Sequence, residues 1–149
     1  MSDYFESFEI QTLVYRAPEV LLGVPFNQQI DMFSLGLVLL ELWTGQPFFT
    51  ARTREELYAA LCRQLTPPPR QHFSCGKFFD TLETSYVGGR TTRTFSMSEH
   101  VKAVKRAMSK NRGDCTPQLV HFIALLLHPD PMERLSPFDA LKVVIMLIY

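Results

Sequence analysis

The chain has 149 residues, of which 46% are hydrophobic, and this predicts one globular domain with a sizeable core. Fifteen basic residues balance fifteen acidic ones, so the composition gives no reason to expect a nucleic-acid or membrane-surface partner. The three cysteines lack Cys-x-x-Cys spacing and the four histidines form no ligand-spaced cluster, which argues against a zinc site. Free thiols and an acidic start without a signal sequence favour an intracellular location, in the cytoplasm or the nucleus.

Residues 1–8 alternate acidic and aromatic side chains, and we expect them to be extended or disordered. The tripeptide Ala17-Pro18-Glu19 predicts a turn, because proline fixes its own φ and biases the preceding residue away from the helical region.

The central predicted helix runs from Asp31 to Trp43 and is apolar on almost every side. Asp31 is a favourable N-cap residue, and Gly45 follows the helix as a stop signal. A helix without a polar face has to be covered by other helices or by lipid. The run is well short of the ~20 apolar residues that a membrane-spanning helix needs, so we expect the centre of a soluble domain.

Four helices follow in the prediction. Thr53 and Glu56 form a capping-box pair that starts the first of them, and the proline run 67–69 stops it. Its apolar stripe is typical of a core, with a docking face as the alternative. A short basic helix at 98–110 has either a solvated face or an acidic partner. Thr116-Pro117 and Ser136-Pro137 start the last two helices, and the apolar run 143–149 either packs in the core or promotes aggregation.

Three motifs, taken in order, resemble the eukaryotic protein kinases. Ala17-Pro18-Glu19 resembles the A-P-E that closes their activation segment. Residues 31–36 resemble the D-x-W-S-x-G that begins their buried central helix, with Phe33 in place of tryptophan, and residues 130–134 resemble the D-P-x-x-R motif. Residues 22–26, followed by 30–32, are similar to the CMGC group, and within it to the dual-specificity tyrosine-regulated and homeodomain-interacting kinases. The resemblance extends from about residue 9 to residue 142.

The resemblance implies a mainly α fold. It corresponds to the lower part of a kinase-like C-terminal lobe that lacks the N-lobe and the catalytic loop. The whole chain, 1–149, would then be a partial kinase domain that runs from the end of the activation segment to the last helix. Residues 66–113 would be the CMGC-type insert, and the helix after Thr53 would be helix G. In the family these two regions bind substrates or regulatory proteins.

The parent activity implied by the resemblance is the transfer of the γ-phosphoryl group of Mg-ATP to a protein Ser or Thr hydroxyl. The glycine-rich loop, strand lysine, HRD-type catalytic loop and DFG metal site of a whole kinase do not occur in this sequence. We therefore expect this chain alone to be inactive, with no catalytic, nucleotide-binding or metal-binding residue and no cofactor of its own. The alternatives are a non-catalytic, pseudokinase-like binding module and a remnant that does not fold.

The resemblance also gives roles to three residues of the activation segment. Glu9 stands where relatives carry a phosphorylated tyrosine, and Arg16 matches one of the two arginines that bind it, whereas Leu13 replaces the other. Our hypothesis is a weaker, constitutive Glu9–Arg16 contact, the alternative being that both side chains are solvated. Thr12 matches a residue that hydrogen-bonds the catalytic loop, and without that loop we expect a surface hydroxyl.

Two structural roles complete the expectations. In the family, the glutamate matching Glu19 forms a buried ion pair with the arginine matching Arg134, which would join the activation segment to the far end of the chain. The aspartate matching Asp31 binds the backbone of the catalytic loop in complete kinases. With that loop absent, helix capping is the only role for Asp31 that the sequence supports.

Overall fold

The computed structural model describes residues 10–86, 94–110 and 115–148, and these ranges are helical without a strand. A 3₁₀ turn at Leu13–Tyr15 precedes eight α-helices. They are α1 (Pro18–Leu22), α2 (Gln29–Thr44), α3 (Arg54–Gln64), α4 (Arg70–Phe73), α5 (Phe79–Ser85), α6 (Met97–Met108), α7 (Pro117–Leu126) and α8 (Pro137–Ile148). Residues 1–8, together with residue 9, lie outside the described ranges.

The central helix, α2, begins earlier than predicted. Gln29 is its first residue, and the Gln29 backbone N–H donates to the Asn27 side-chain oxygen at 2.9 Å. Asp31 is therefore not the N-cap, and that prediction is wrong. Its exposed carboxylate lies in the first helical turn, where the helix dipole favours a negative charge. The stop is as predicted: Gly45 adopts a left-handed conformation with φ 75° and donates to the Glu41 carbonyl.

One side of α2 forms the centre of the core. Phe33, Leu37 and Leu40 are fully buried, and Gly36 lets α2 approach α7 closely. A Cβ atom at Gly36 would lie only 2.8 Å from the Leu127 side chain. The expectation that α2 is covered on every side is wrong, because an apolar stripe on it is exposed. The stripe consists of Leu35, Val38 and Leu42.

The predicted starts of α3 and α7 agree with the structure. The Thr53 hydroxyl accepts from the Glu56 N–H at 3.2 Å, and the Glu56 carboxylate accepts from the Arg52 N–H at 2.7 Å. The Thr116 hydroxyl accepts from the Leu119 N–H at 3.4 Å, with Pro117 as the first residue of α7. These bonds satisfy backbone donors that a helix end leaves unpaired.

Burial decides the alternative for α3 and leaves the one for α6 open. The apolar stripe of α3 belongs to the core, with Leu57, Tyr58 and Leu61 buried, and the basic side chains of α6 are exposed. In the last helix, α8, Val143 and Val144 of the apolar run are partly buried against the core, whereas Ile145 and Met146 are exposed, as are Phe138 and Leu141 before the run. Within the described ranges, no helix is long and apolar enough to cross a membrane.

Candidate functional site

Residues 10–19 lie across the first half of α2, and Gln11 holds them there. Its side-chain amide donates to the Ile30 carbonyl at 3.0 Å and to the Ser34 hydroxyl at 2.7 Å, while its oxygen accepts from the Ala17 N–H at 2.9 Å. Gln11 has φ 64°, a left-handed conformation that is uncommon for a residue with a side chain. The three hydrogen bonds offset that strain and fix the path of the segment. Sequence reasoning missed Gln11.

Arg16 is the second anchor of this segment. Its side chain is buried, with Nε donating to the Ile10 carbonyl at 3.1 Å and Nη2 to the Gln11 carbonyl at 3.0 Å. The alternative in which Arg16 is solvated is therefore wrong. Glu9 lies outside the described residues, so the Glu9–Arg16 contact stays a prediction. Thr12 is exposed and precedes the 3₁₀ turn without a capping hydrogen bond from its side chain.

The ion pair expected from the two kinase-like motifs is present. Arg134 and Glu19 meet in a bidentate arrangement, with Nη1–Oε1 2.6 Å and Nη2–Oε2 2.9 Å. Both side chains are 0% exposed. Two parallel charge-assisted hydrogen bonds fix the relative orientation of the two groups as well as their distance.

Arg134 uses its whole donor set. Its remaining N–H groups donate to the carbonyls of His128, Gln29 and Pro129, at 2.9, 2.7 and 3.4 Å. A guanidinium has five N–H donors, and here each has an acceptor. The arginine thus joins α1, the start of α2 and the loop after α7. It satisfies the condition under which a buried charge is tolerated, namely complete pairing.

Asp130 connects this junction to α4. Its Oδ1 accepts from the Met132 N–H at 2.9 Å, which shapes the loop that carries Arg134. Its Oδ2 lies 2.5 Å from Nδ1 of His72, a residue of α4. Sequence reasoning missed this contact, because nothing in the local pattern around His72 points to a partner in another helix.

Two buried histidines lie beside the junction. His100 Nδ1 is 2.9 Å from the Thr66 hydroxyl, and Nε2 is 3.1 Å from the Ala124 carbonyl. Burial lowers the pKa of His100 to about 4, and burial also lowers the pKa of His128. His128 follows the end of α7 and is buried.

The chemistry of this region is that of a scaffold. The ion pair and two polar anchors, the partly buried Gln11 and the buried Arg16, position the backbone of residues 10–19. Among the described residues, no group of three or more His, Cys, Asp or Glu side chains could hold a metal ion.

Residues 4–145 match the protein kinase domain family. Dual specificity tyrosine-phosphorylation-regulated kinase 3 of Homo sapiens is 32% identical over 149 residues, covering 89% of this chain and 25% of the relative. Homeodomain-interacting protein kinase 1 of Caenorhabditis elegans is 30% identical over 138 residues, covering 85% of this chain and 16% of the relative. The chain therefore spans a quarter or less of these relatives.

Among solved structures, the fold is similar to a chain in the CAK complex of Chaetomium thermophilum bound to ATP-gamma-S. The TM-score is 0.62 at 20% identity, covering 88% of this chain and 38% of the other. This likeness shows the fold.

Proposed function

Because the chain belongs to the protein kinase domain family, with relatives in the CMGC group, we propose that it is the lower C-lobe of a Ser/Thr kinase. The activity of the whole kinase is the transfer of the γ-phosphoryl group of Mg-ATP to a protein hydroxyl. The observation that carries the proposal is the buried Glu19–Arg134 ion pair, which fixes the end of the activation segment to the helical core.

The part this chain plays is positioning. Phosphoryl transfer depends on placing the nucleophile and the phosphates correctly and on stabilising charge. Gln11, Arg16 and Glu19 hold the segment 10–19 rigidly on α2. The charged groups of the reaction come, in the family, from motifs that this sequence does not contain. Taken alone, the chain is proposed to be inactive and to bind no Mg-ATP.

Two activation-segment residues have proposed roles only in a whole kinase. The Thr12 hydroxyl is exposed and able to meet a catalytic loop supplied from elsewhere. Glu9 is proposed to substitute for a phosphorylated tyrosine by pairing with Arg16, with about half the charge of a phosphate.

Partner binding is proposed for α3 and the insert 66–113, with a substrate or a regulatory protein as the partner. The exposed basic side chains of α6, inside that insert, support this placement. An intracellular location, cytoplasmic or nuclear, is proposed from the three free cysteines.

A chimera tests the kinase assignment. The matching segment of human dual specificity tyrosine-phosphorylation-regulated kinase 3 is replaced by this chain, and ATP-dependent phosphorylation of a protein substrate is measured. We expect transfer by the chimera. The isolated chain should transfer no phosphate, and its melting temperature should not shift with Mg-ATP. A chimera that melts cooperatively but transfers nothing contradicts the kinase assignment, and transfer by the isolated chain contradicts its inactivity.

A second candidate is a non-catalytic, pseudokinase-like binding module. The observation that favours it is the cavity between α3 and α6, which is lined by two arginines without carboxylate partners among the described residues. A module of this kind binds its partner as the isolated chain, with the same affinity in the presence and absence of ATP. If the partner binds only to the chimera, or only when ATP is present, the result contradicts this candidate.

A further inference from the structure

A cavity of about 340 Å³ lies between the end of α3 and one side of α6. Clefts that bind ligands commonly have volumes of ~300–1,000 Å³, so this one is large enough for two or three side chains of a peptide. Its walls come from the C-terminal end of α3 and the residues after it, from residues 94–96 and from α6. They are Cys62, Arg63, Leu65, Thr66, Pro67, Thr94, Phe95, Ser96, Glu99 and Arg106.

The charge of the cavity is positive. Arg63 and Arg106 are exposed, and neither has a hydrogen-bond or carboxylate partner among the described residues. Among the described lining residues Glu99 is the one acidic side chain, and its carboxylate accepts from Lys102 at 2.9 Å. Lys105 and Lys110 are exposed but are not among the described residues that line the cavity. A cleft with one dominant charge sign concentrates ligands of the opposite sign.

One wall is apolar and firmly held. The Phe95 ring packs against His100 and His128, with centroid distances of 5.7 and 4.5 Å. Below it, Thr66 and His100 are joined by the buried hydrogen bond already described, so the floor does not depend on the ligand. An apolar wall beside two guanidinium groups fits a peptide with mixed acidic and apolar side chains better than it fits a bare anion.

We infer that the α3–α6 cavity binds an acidic peptide segment of a partner protein. Arg63 and Arg106 contact its carboxylates, and Phe95 and Leu65 contact a neighbouring apolar side chain. Arginine suits this role because its planar donor fork matches a carboxylate. The inference gives a chemical class to the partner of the proposed function, and it requires no phosphoryl transfer.

The test is fluorescence anisotropy on the full chain. The probe is a fluorescein-labelled ten-residue peptide with four glutamates and one leucine among glycines and serines. We expect saturable binding that weakens with added salt, since exposed charges are screened. The counterpart with glutamine for each glutamate should bind at least about tenfold more weakly, as expected when charge-assisted hydrogen bonds are lost. Equal binding of the two peptides overturns anion recognition.

Two double variants distinguish binding in the cavity from attraction by the positive charge of the whole surface. Arg63→Gln with Arg106→Gln should weaken binding of the acidic peptide by about tenfold or more. Arg52→Gln with Lys105→Gln removes the same charge from exposed positions outside the cavity and should change affinity by less than about twofold. Equal losses in the two variants, at unchanged melting temperatures, overturn the cavity as the binding site. Complete displacement of the peptide by inorganic phosphate at constant ionic strength would show that the cavity binds anions in general, and it overturns the claim that the ligand is a peptide.

Failure here and failure of the proposed function are distinguishable. A chimera that does not phosphorylate leaves the peptide measurement unaffected, because the assay contains no ATP. If the chimera phosphorylates its substrate but the full chain does not bind the acidic peptide, the kinase assignment stands and this inference is wrong.

Discussion

Arg134 and Glu19 are separated by 115 positions in the sequence and form a bidentate ion pair in which both side chains are fully buried. The pair closes a long loop of chain, so that α1 and the loop after α7 become parts of one unit. Because five N–H donors of Arg134 are all used, neither charge is left uncompensated in the interior.

Removing one partner of this pair should be strongly destabilising. Arg134→Met leaves the Glu19 carboxylate buried without its counter-charge, and we expect the free energy of unfolding to fall by about 3–5 kcal/mol. Urea denaturation followed by circular dichroism measures it. The double variant Glu19→Leu with Arg134→Met should lose less than the sum of the two single variants. Additive losses would show that the two residues do not interact in the folded chain.

Gln11 should control the order of the segment before α1. Gln11→Gly keeps the left-handed backbone accessible but removes three hydrogen bonds, so we expect faster amide exchange at Ala17, whose N–H donates to Gln11. Hydrogen exchange read by NMR measures this. Thr12→Gly is the matched control, because the neighbouring Thr12 side chain is exposed and makes no capping bond. Unchanged protection of Ala17 in Gln11→Gly contradicts the anchoring role.

Local signals in the sequence predicted the ends of several helices well. The hydroxyls of Thr53 and Thr116 and the glycine at 45 act within one helical turn, so four or five residues contain all the information. The prediction of Asp31 as the cap failed for a related local reason. Asn27, four residues earlier, supplies a side-chain acceptor for the Gln29 N–H, and the helix begins at Gln29. The Glu19–Arg134 pair was predictable only through its resemblance to kinase motifs.

Features that depend on distant parts of the chain were not predictable. Gln11 is positioned by acceptors on α2, 19 and 23 residues away, and a glutamine with positive φ leaves no local pattern. The uniformly apolar sequence of α2 does not tell which side the other helices cover. The α3–α6 cavity depends on how two helices pack, with Thr66 and His100 in contact across 34 positions.

The N-cap of α7 offers a small, well-defined stability change. Thr116→Ala removes the acceptor for the Leu119 N–H, and we expect a loss of about 1 kcal/mol. Thermal denaturation measures it, and Thr116→Ser should restore most of the loss because it keeps the hydroxyl. Thr50→Ala, at an exposed threonine outside the helices, is the control with little expected change. Equal losses at the two positions contradict the capping role.

Gly36 should tolerate no larger residue. Alanine favours a helix over glycine by about 1 kcal/mol, but here its Cβ would lie 2.8 Å from the Leu127 side chain. Overpacking costs about 1–3 kcal/mol, so we expect Gly36→Ala to be destabilising in a denaturant titration. Leu127→Ala should reduce the penalty of Gly36→Ala in the double variant. A stabilising Gly36→Ala would show that α2 and α7 separate easily at this point.

The pH dependence of stability should depend on His100. Burial lowers the pKa of His100 to about 4 in the folded chain, below the ~6.5 of an unfolded histidine. The unfolded chain therefore binds this proton more readily. The stability contributed by the neutral ring is fully present above pH ~6.5 and is lost as pH falls toward about 4. The expected loss is about 3 kcal/mol, on the scale of 1.36 kcal/mol per pKa unit.

Urea titrations between pH 7 and 4 measure this loss. His100→Gln cannot titrate, so its stability should fall less steeply over that range, with a remaining slope from His128, whose pKa is also lowered by burial. His121→Gln is the control, because His121 is exposed on the same helix that supplies the Ala124 carbonyl to His100. If His100→Gln and the unmodified chain lose stability in parallel, the neutral, buried ring of His100 is not the source of the loss, and the pH dependence comes from His128 or from carboxylates instead.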